Sequence, residues 1–228
     1  MKNTDLFKLG NSIADSYIKK YLYPYEVLPN IKNIILEIGF NLGDDYYLLK
    51  ENVWVHKSSK ISESATINGP CIIDMDAEVR PSAYIRGNAI IGKNSVLGNS
   101  CEIKNAILYD YVQVPHFNYV GDSILGNYAH MGAGSITSNV KSDKSLVVIK
   151  NNDEKIFTNL KKVGAFLGDY VEIGCNSVLN PGTIILPNTN VYPLTSVRGV
   201  IDGNSIVKGM NNIIKKEDVW KNYLEQME

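Results

Sequence analysis

The chain of 228 residues is 44% hydrophobic and has a formal net charge of −1, with 23 basic and 24 acidic residues. This length supports one sizeable domain with appendages, and the balanced charge gives no reason to expect nucleic acid or an anionic membrane as a partner. The N-terminus has no long apolar stretch, so we expect a cytoplasmic protein without signal peptide or membrane anchor. Its three cysteines do not make a disulfide framework.

Residues 1–48 favour helices. Apolar residues recur at intervals of three and four over residues 4–22, which predicts a helix there with Thr4 as its N-cap. A second amphipathic helix is indicated over residues 31–39. We expect this segment to form a helical cap over the first coil of the solenoid that the following residues predict, because open sheet ends expose unpaired backbone groups.

Over residues 55–103 an aliphatic residue stands at every sixth position, and a small residue precedes most of them by two places. A period of six is neither the period of a helix nor the alternation of a half-buried strand. It is typical of a hexapeptide β-helix, in which three hexads make one triangular coil and the aliphatic residues fill the interior. These aliphatic residues are Val55, Ile61, Ile67, Ile73, Val79, Ile85, Ile91, Leu97 and Ile103.

The period continues with one-residue slips to Thr137 and resumes from Leu167 to Val197. Residues 49–200 therefore predict an all-β solenoid, a parallel β-helix of about seven coils. A β-sandwich is the alternative all-β fold, but it does not produce a sustained period of six. The period itself leaves the handedness open, although parallel crossovers are usually right-handed.

Two segments fall outside the hexads. Residues 138–162 contain six lysines, and we expect an extruded loop or hairpin with a strand near residues 146–149, since long loops in solenoids are usually functional. Residues 201–228 are expected to form a strand and a terminal helix. The apolar face of that helix, which includes Trp220 and Leu224, needs a partner in the solenoid or in a neighbouring subunit.

Residues one coil apart should lie above one another, which predicts a polar stripe. Arg86 and Lys104 occupy the same slot in successive coils, and Tyr119 and Asn139 fall close to the same column. Two cations about 5 Å apart repel unless they are solvated or share an anion. The stripe is therefore interpreted either as a phosphate or diphosphate site or as a solvated surface pair.

His116 lies on the face that leads to this stripe, and His130 falls on the next coil. A metal site is not expected, because no third ligand of matching spacing appears. A histidine near cationic residues and a tyrosine fits a general base better.

The stretch from Pro115 to Asn139 reads PHFNYVGDSILGNYAHMGAGSITSN. It resembles the acetyltransferase domain of the bifunctional N-acetylglucosamine-1-phosphate uridylyltransferase/glucosamine-1-phosphate acetyltransferase family. It is similar above all to archaeal sugar-1-phosphate nucleotidylyltransferases with an amino-sugar acetyltransferase tail. The family pattern is His-x-x-Tyr-Leu/Val-Gly-Asp followed by Gly-Ala-Gly-Thr-Ile/Leu-x-x-Asn, in a left-handed β-helix trimer. The resemblance covers roughly residues 50–200 and implies a left-handed parallel β-helix here.

The resemblance also implies roles. His116 matches the general base that takes a proton from the sugar amine, and Tyr119 matches a sugar-phosphate contact. Arg86 and Lys104 match the pair that holds the phosphate. Asn139 matches a catalytic residue at the reacting amine and acetyl-CoA.

Further positions match the co-substrate site or depart from the pattern. Ala133 matches a backbone contact to acetyl-CoA, and Cys175 falls where the family often has a serine near the thioester. His130 stands where the family has an asparagine that touches the sugar. Lys144 is one position short of the family's next substrate-binding lysine, a place held here by Ser145.

The expected function is acetyl-CoA-dependent N-acetylation of an amino-sugar phosphate, such as glucosamine 1-phosphate, or of a nucleotide-linked amino sugar, by a homotrimer. No nucleotidyltransferase activity is expected, because residues 1–50 are too short for that domain, and a separate nucleotidyltransferase subunit is a possible partner. The alternatives are a non-catalytic β-helix that binds a sugar nucleotide as a regulatory or assembly module, and a γ-carbonic-anhydrase-like zinc enzyme, which the small number of histidines disfavours.

Overall fold

The computed structural model describes residues 1–209 and 211–217. These residues form a parallel β-helix of about nine turns preceded by short helices, so the predicted hexapeptide solenoid is confirmed. The expectation of about seven coils was too low. Additional strands lie beyond the last hexad that the sequence pattern identified, at Val200–Ile201 and Ser205–Gly209.

The N-terminal segment contains α1 (Asn3–Leu6), α2 (Asp15–Ile18), α3 (Pro24–Val27), a 3-10 turn (Leu28–Asn30) and α4 (Ile31–Gly39). The helix predicted over residues 31–39 is confirmed, but a single helix over residues 4–22 is wrong. The Asp15 carboxylate accepts hydrogen bonds from the backbone N–H groups of Gly10 and Ser12, at 2.5 and 2.9 Å. This local turn, with Gly10 at a φ of 145°, interrupts the helix.

The strands of the solenoid form three faces, numbered here in chain order. Face 1 contains β2 (Val53–His56), β5 (Cys71–Ile73), β8 (Ala89–Ile91), the second halves of β10 (Glu102–Leu108) and β12 (Tyr119–Leu125), β17 (Ala165–Leu167), β20 (Thr183–Ile185) and β23 (Val200–Ile201). Face 2 contains β3 (Lys60–Ile61), β6 (Glu78–Val79), β9 (Val96–Asn99), β11 (Gln113–His116), β13 (His130–Met131), β18 (Glu172–Ile173), β21 (Asn190–Val191) and β24 (Ser205–Gly209). Face 3 contains β4 (Thr66–Ile67), β7 (Tyr84–Ile85), the first halves of β10 and β12, β14 (Ile136–Thr137), β19 (Val178–Leu179) and β22 (Ser196–Val197).

Antiparallel strands cover both ends of the solenoid. β1 (Tyr46–Lys50) pairs with β2, and β25 (Asn212–Lys215) pairs with β24. Helix α4 packs against β5, β8 and β10. The helical segment therefore lies mainly along the side of face 1 and not over the first coil as we expected, and a strand satisfies the backbone groups at that end.

The hexad residues fill the interior as the period predicts. Along face 1 the hexad residues from Val55 to Ile185 are all fully buried, and each contributes about 1.5–3 kcal/mol through removal from water. At most corners of the solenoid a residue adopts a positive φ. At the corner between faces 2 and 3 these are Ser82, Ser100, Phe117, Gly134, Asn176 and Leu194, with φ between 52° and 71°.

The lysine-rich insertion between β14 and β17 forms a hairpin, which is one of the two structures expected from the sequence, a loop or a hairpin. Its strands are β15 (Val148–Asn151) and β16 (Glu154–Phe157), so the strand expected near residues 146–149 begins two residues later. Val147 and Ile149 are buried and lie close to Gly182. This packing holds the hairpin against the solenoid. The terminal helix expected around Trp220 and Leu224 falls outside the described residues. None of the described helices is both long and apolar enough to cross a membrane.

Candidate active site

The predicted base and the two predicted acetyl-CoA residues lie along one corner of the solenoid, between faces 2 and 3. His116 ends β11, and its carbonyl oxygen accepts the N–H of Gly134 on the next coil at 3.0 Å. The Ala133 carbonyl in turn accepts the N–H of Asn176 at 2.9 Å. His116, Ala133 and Cys175 therefore occupy equivalent positions on successive coils.

Gly98 allows the coils to approach at this corner. A Cβ atom at this position would lie 1.5 Å from the carbonyl oxygen of Pro115, the residue before His116. Any side chain larger than hydrogen would displace the end of β11.

The Asn118 side chain fastens the same corner, a role that the sequence analysis missed. Its Oδ1 accepts the backbone N–H of His116 at 3.0 Å, and its Nδ2 donates to the carbonyls of Gly132 and Ser135 at 2.8 and 3.0 Å. The signal was available, because Asn118 is a polar residue in the small inward slot two places before Val120.

A second group of site residues lies at the corner between faces 3 and 1. Lys104 Nζ lies 3.1 Å from both carboxylate oxygens of Asp122. Asn139 Nδ2 donates to Asp122 Oδ2 at 2.5 Å and to Tyr119 Oη at 3.1 Å. The structure therefore brings Lys104, Tyr119 and Asn139 together as predicted, but through Asp122, which the sequence analysis did not single out although it lies within the quoted motif.

Arg86 has a different partner. Its Nη1 lies 2.8 Å from Glu102 Oε1, and this carboxylate raises the pKa of the guanidinium above its usual value. Each member of the predicted phosphate-binding pair thus already has an acidic neighbour. The interpretation of Arg86 and Lys104 as a pair of free cations was therefore incomplete, because Glu102 lies two positions before Lys104 and Asp122 lies one coil above it.

The four residues do not form the straight stripe that spacing predicted. In the strand register Tyr119 stands opposite Glu102, and Lys104 stands opposite Gly121. Tyr119 is therefore two places from the slot that Arg86 and Lys104 share, and its half-buried side chain reaches across to Asn139. Burial foremost, and then the Asp122 carboxylate, raise the pKa of the Tyr119 hydroxyl above its usual value.

Two predicted sugar-binding residues stand apart from both groups. His130 lies on face 2, where its Nδ1 is 2.7 Å from Glu172 Oε2 on the next coil. Lys144 is exposed in the turn that precedes the hairpin, at a φ of 57°. Among the described residues, no three His, Cys, Asp or Glu side chains form a group suited to a metal ion.

Comparison with known proteins places the chain in a family. The chain is 33% identical over 212 residues to the bifunctional protein GlmU of Methanococcus aeolicus, a match that covers 82% of this chain and 51% of that protein. It is 30% identical over 178 residues to a bifunctional sugar-1-phosphate nucleotidylyltransferase/acetyltransferase of Sulfurisphaera tokodaii, covering 67% of this chain and 44% of that protein. The chain thus spans about half the length of the curated relatives it matches.

The chain is also similar to a solved structure. The D94N mutant of the N-acyltransferase AntD of Bacillus cereus, in complex with dTDP and coenzyme A, matches 80% of this chain and 100% of its own with 19% identity and a TM-score of 0.38.

The resemblance inferred from the motif is confirmed by these relatives and by a family model. Residues 67–201 match the model described as the GMPPB C-terminal domain. This match covers more than half of the chain, and the protein belongs to that family.

Proposed function

We propose that the chain is an acetyl-CoA-dependent N-acetyltransferase for an amino-sugar phosphate, such as glucosamine 1-phosphate, or for a nucleotide-linked amino sugar. The observation that carries the proposal is the alignment of His116, Ala133 and Cys175 along one corner of the solenoid. Face 3 separates this corner from the group around Asp122. An acceptor lying on face 3 meets a histidine on one side and amide, hydroxyl and ammonium groups on the other.

The reaction needs a base and a fixed geometry. The acceptor nitrogen attacks the thioester carbonyl carbon, the C–N bond forms and the C–S bond breaks. His116 takes the proton that the nitrogen loses, and the departing thiolate of coenzyme A is protonated in turn. Holding the amine against the thioester supplies a large part of the rate.

A backbone N–H is proposed to stabilise the oxyanion of this step. The N–H of Gly132 donates to Ile173 and that of Gly134 to His116. Among the described contacts of this turn, Ala133 is therefore the residue whose N–H is left for the thioester oxygen. This matches the backbone contact to acetyl-CoA that the family resemblance implies for Ala133.

The acceptor phosphate is proposed to bind at Arg86 and Lys104, which lie on coils below Asn139. Glu102 and Asp122 already bond to these cations, so a phosphate must share the lysine and arginine with carboxylates. Each of these cations has more N–H groups than its acid uses. We therefore propose that the phosphate bonds to only some of the N–H groups of Arg86 and Lys104. Such binding is weaker than binding to two cations that have no acidic partner.

The proposed assembly is a cytoplasmic homotrimer, with a separate nucleotidyltransferase subunit as a further proposed partner. Phe117 and Leu194 support a covering neighbour, because they are 64% and 79% exposed on the same corner as His116. Exposed apolar side chains beside a site are typical of a surface that another subunit covers.

A thiol-release assay tests the proposal, with acetyl-CoA and glucosamine 1-phosphate, galactosamine 1-phosphate or UDP-linked amino sugars as acceptors. Release of coenzyme A that requires one of these amines supports it. His130 stands where the family has a sugar-contacting asparagine and is paired with Glu172, and this departure favours a second candidate, a β-helix that binds a sugar nucleotide without turnover. Binding of UDP-sugars without thiol release from any acceptor would select this second function.

A further inference from the structure

The contact between Asn139 and Asp122 determines which end of the Asn139 amide is free. Asp122 is 4% exposed, and an ionised carboxylate accepts hydrogen bonds but donates none. The atom of Asn139 that lies 2.5 Å from Asp122 Oδ2 must therefore be the amide nitrogen. The same nitrogen lies 3.1 Å from Tyr119 Oη. Both N–H groups of the amide are directed at protein atoms, which leaves the carbonyl oxygen Oδ1 to meet a ligand.

Asp122 is itself held rigidly. Its φ of 50° places it at the bend where β12 passes from face 3 to face 1. Lys104 Nζ contacts both of its oxygens, and Asn105 Nδ2 donates to Oδ1 at 2.9 Å. Asn105 also donates to the carbonyl of Leu28, which connects this corner to the helical segment. A carboxylate fixed from several sides can hold the Asn139 amide in one orientation.

We infer that Asp122 is a positioning residue, which turns the Asn139 amide so that its carbonyl oxygen accepts a hydrogen bond from the amino group of the acceptor. This inference rests on the proposed acetyl transfer. The Asn139 carbonyl oxygen accepts a hydrogen bond from the amine and takes no proton from it, so His116 remains the base. The amide in the reversed orientation would present N–H groups to the amine and repel its hydrogens.

The substitution Asn139→Asp gives a test with a distinctive pH dependence. It places a second carboxyl against Asp122, and two carboxylates in contact do not both ionise, so the pKa of the pair is raised. Below that pKa, protonated Asp at 139 donates to Asp122 and presents its carbonyl oxygen outward, as Asn139 does. We expect the ratio of N139D to wild-type kcat to be within about threefold of one at low pH and to fall at least tenfold as pH rises. Taking the ratio removes the effect of His116 protonation, which both proteins share.

Two further variants control the interpretation. Asp122→Asn removes the carboxylate that orients Asn139, and kcat should fall about tenfold or more while KM for acetyl-CoA changes little. The double variant D122N/N139D places the amide at position 122 and the carboxyl at position 139, so that a hydrogen bond between them can form in the opposite direction. It should recover part of the lost kcat. A D122N enzyme with wild-type kcat, or an N139D ratio that does not vary with pH, would overturn the inference.

A measurement without substrate separates this inference from the proposed function. The folded-state pKa of the carboxyl pair in N139D lies above its unfolded value, so its stabilising contribution is present at low pH and is lost as pH rises through that raised pKa. Urea unfolding should therefore show N139D losing stability relative to wild type as pH rises. If the wild type turns over no amine, the proposed function and the role toward the amine both fail, whatever the unfolding data show. If it does turn over an amine but the N139D stability difference is independent of pH, the contact with Asp122 is refuted on its own.

Discussion

Lys104 Nζ lies 3.1 Å from both oxygens of the buried Asp122 carboxylate. The lysine expected to hold a phosphate is thus also the countercharge of an acidic residue in the wall of the solenoid. Because one ammonium group serves both purposes, its removal should affect binding and folding together.

Lys104→Ala should raise KM for a phosphorylated acceptor about tenfold or more and barely change KM for an unphosphorylated one. It should also lower the free energy of unfolding by about 1–3 kcal/mol, because Asp122 loses a hydrogen-bonded countercharge. Steady-state kinetics and urea unfolding measure the two effects. Arg80→Ala is the matched control, since Arg80 pairs with Glu78 at 3.0 Å on the exposed surface of face 2, and such pairs contribute little. Equal changes in KM for both acceptors would show that Lys104 has no contact with the phosphate.

His116→Ala should lower kcat by roughly 10²–10⁴-fold with little change in KM, the usual share of a general base. The decline of kcat toward acidic pH should disappear, because it reports protonation of this imidazole. His56→Ala is the control, as His56 is bonded to Ser58 at 2.8 Å beside the first coil. An H116A enzyme with parental kcat would contradict the proposed mechanism.

Cys175 should be the thiol that reacts with iodoacetamide in the native protein. It is exposed, whereas burial raises the pKa of Cys71 to about 12 and raises that of Cys101 as well. Thiolates, and not thiols, are alkylated, so the two buried residues stay protonated at pH 8.

Acetyl-CoA should slow the alkylation of Cys175 several-fold if it lies along the corner with His116, and peptide mass spectrometry follows the label. Cys175→Ser should abolish labelling of the native protein, and Cys71→Ser should leave it unchanged. Alkylation at the same rate with and without acetyl-CoA would argue against this placement of the co-substrate.

Gly98→Ala should destabilise the fold by about 3 kcal/mol, the upper end of the usual cost of overpacking. Its Cβ would meet Pro115 at 1.5 Å, and the strand that ends at His116 would have to move. Kcat should therefore fall too. Gly43→Ala is the matched control, since a Cβ there has no described atom within 4 Å, and thermal unfolding compares the two. A G98A protein as stable as G43A would mean that the coils can separate freely at this corner.

Light scattering should give a mass near three chains at micromolar concentration. Replacing both Phe117 and Leu194 by serine should weaken the trimer, because these exposed side chains are proposed to lie against a neighbour. Leu22→Ser, an exposed residue of the helical segment, is the control. A monomeric parent protein would contradict both the trimer and the idea of a site completed by a second subunit.

The period of six was sufficient to predict the solenoid, because the interior of each coil accepts one large residue per hexad. The family resemblance, and not the period, singled out Ala133 and Cys175, which the structure aligns with His116 along one corner. Reasoning from the period did group Lys104 with Asn139, and both contact Asp122. The same reasoning misplaced Tyr119, because a difference of two residues within a hexad moves a side chain along the face rather than up the column. It also could not show that Glu102 and Asp122 turn toward the cations, which depends on side-chain orientation.

The N-terminal segment was the least predictable part. Its apolar spacing suits a helix, but the Asp15 carboxylate stabilises a competing turn at Gly10 and Ser12. Sequence periodicity records which residues can be buried and does not record which local hydrogen bonds a carboxylate makes.

The hairpin leaves the solenoid and returns without altering its register. His130 pairs with Glu172 across a gap of 42 residues as closely as neighbouring coils pair elsewhere. Each coil contacts mainly the coils above and below it, and the entropy of closing a loop grows slowly with its length. The hairpin can therefore be lengthened, shortened or exchanged between related proteins while the coils above and below it keep their pairing, so the corner that carries His116 tolerates change in the one long insertion of the described solenoid.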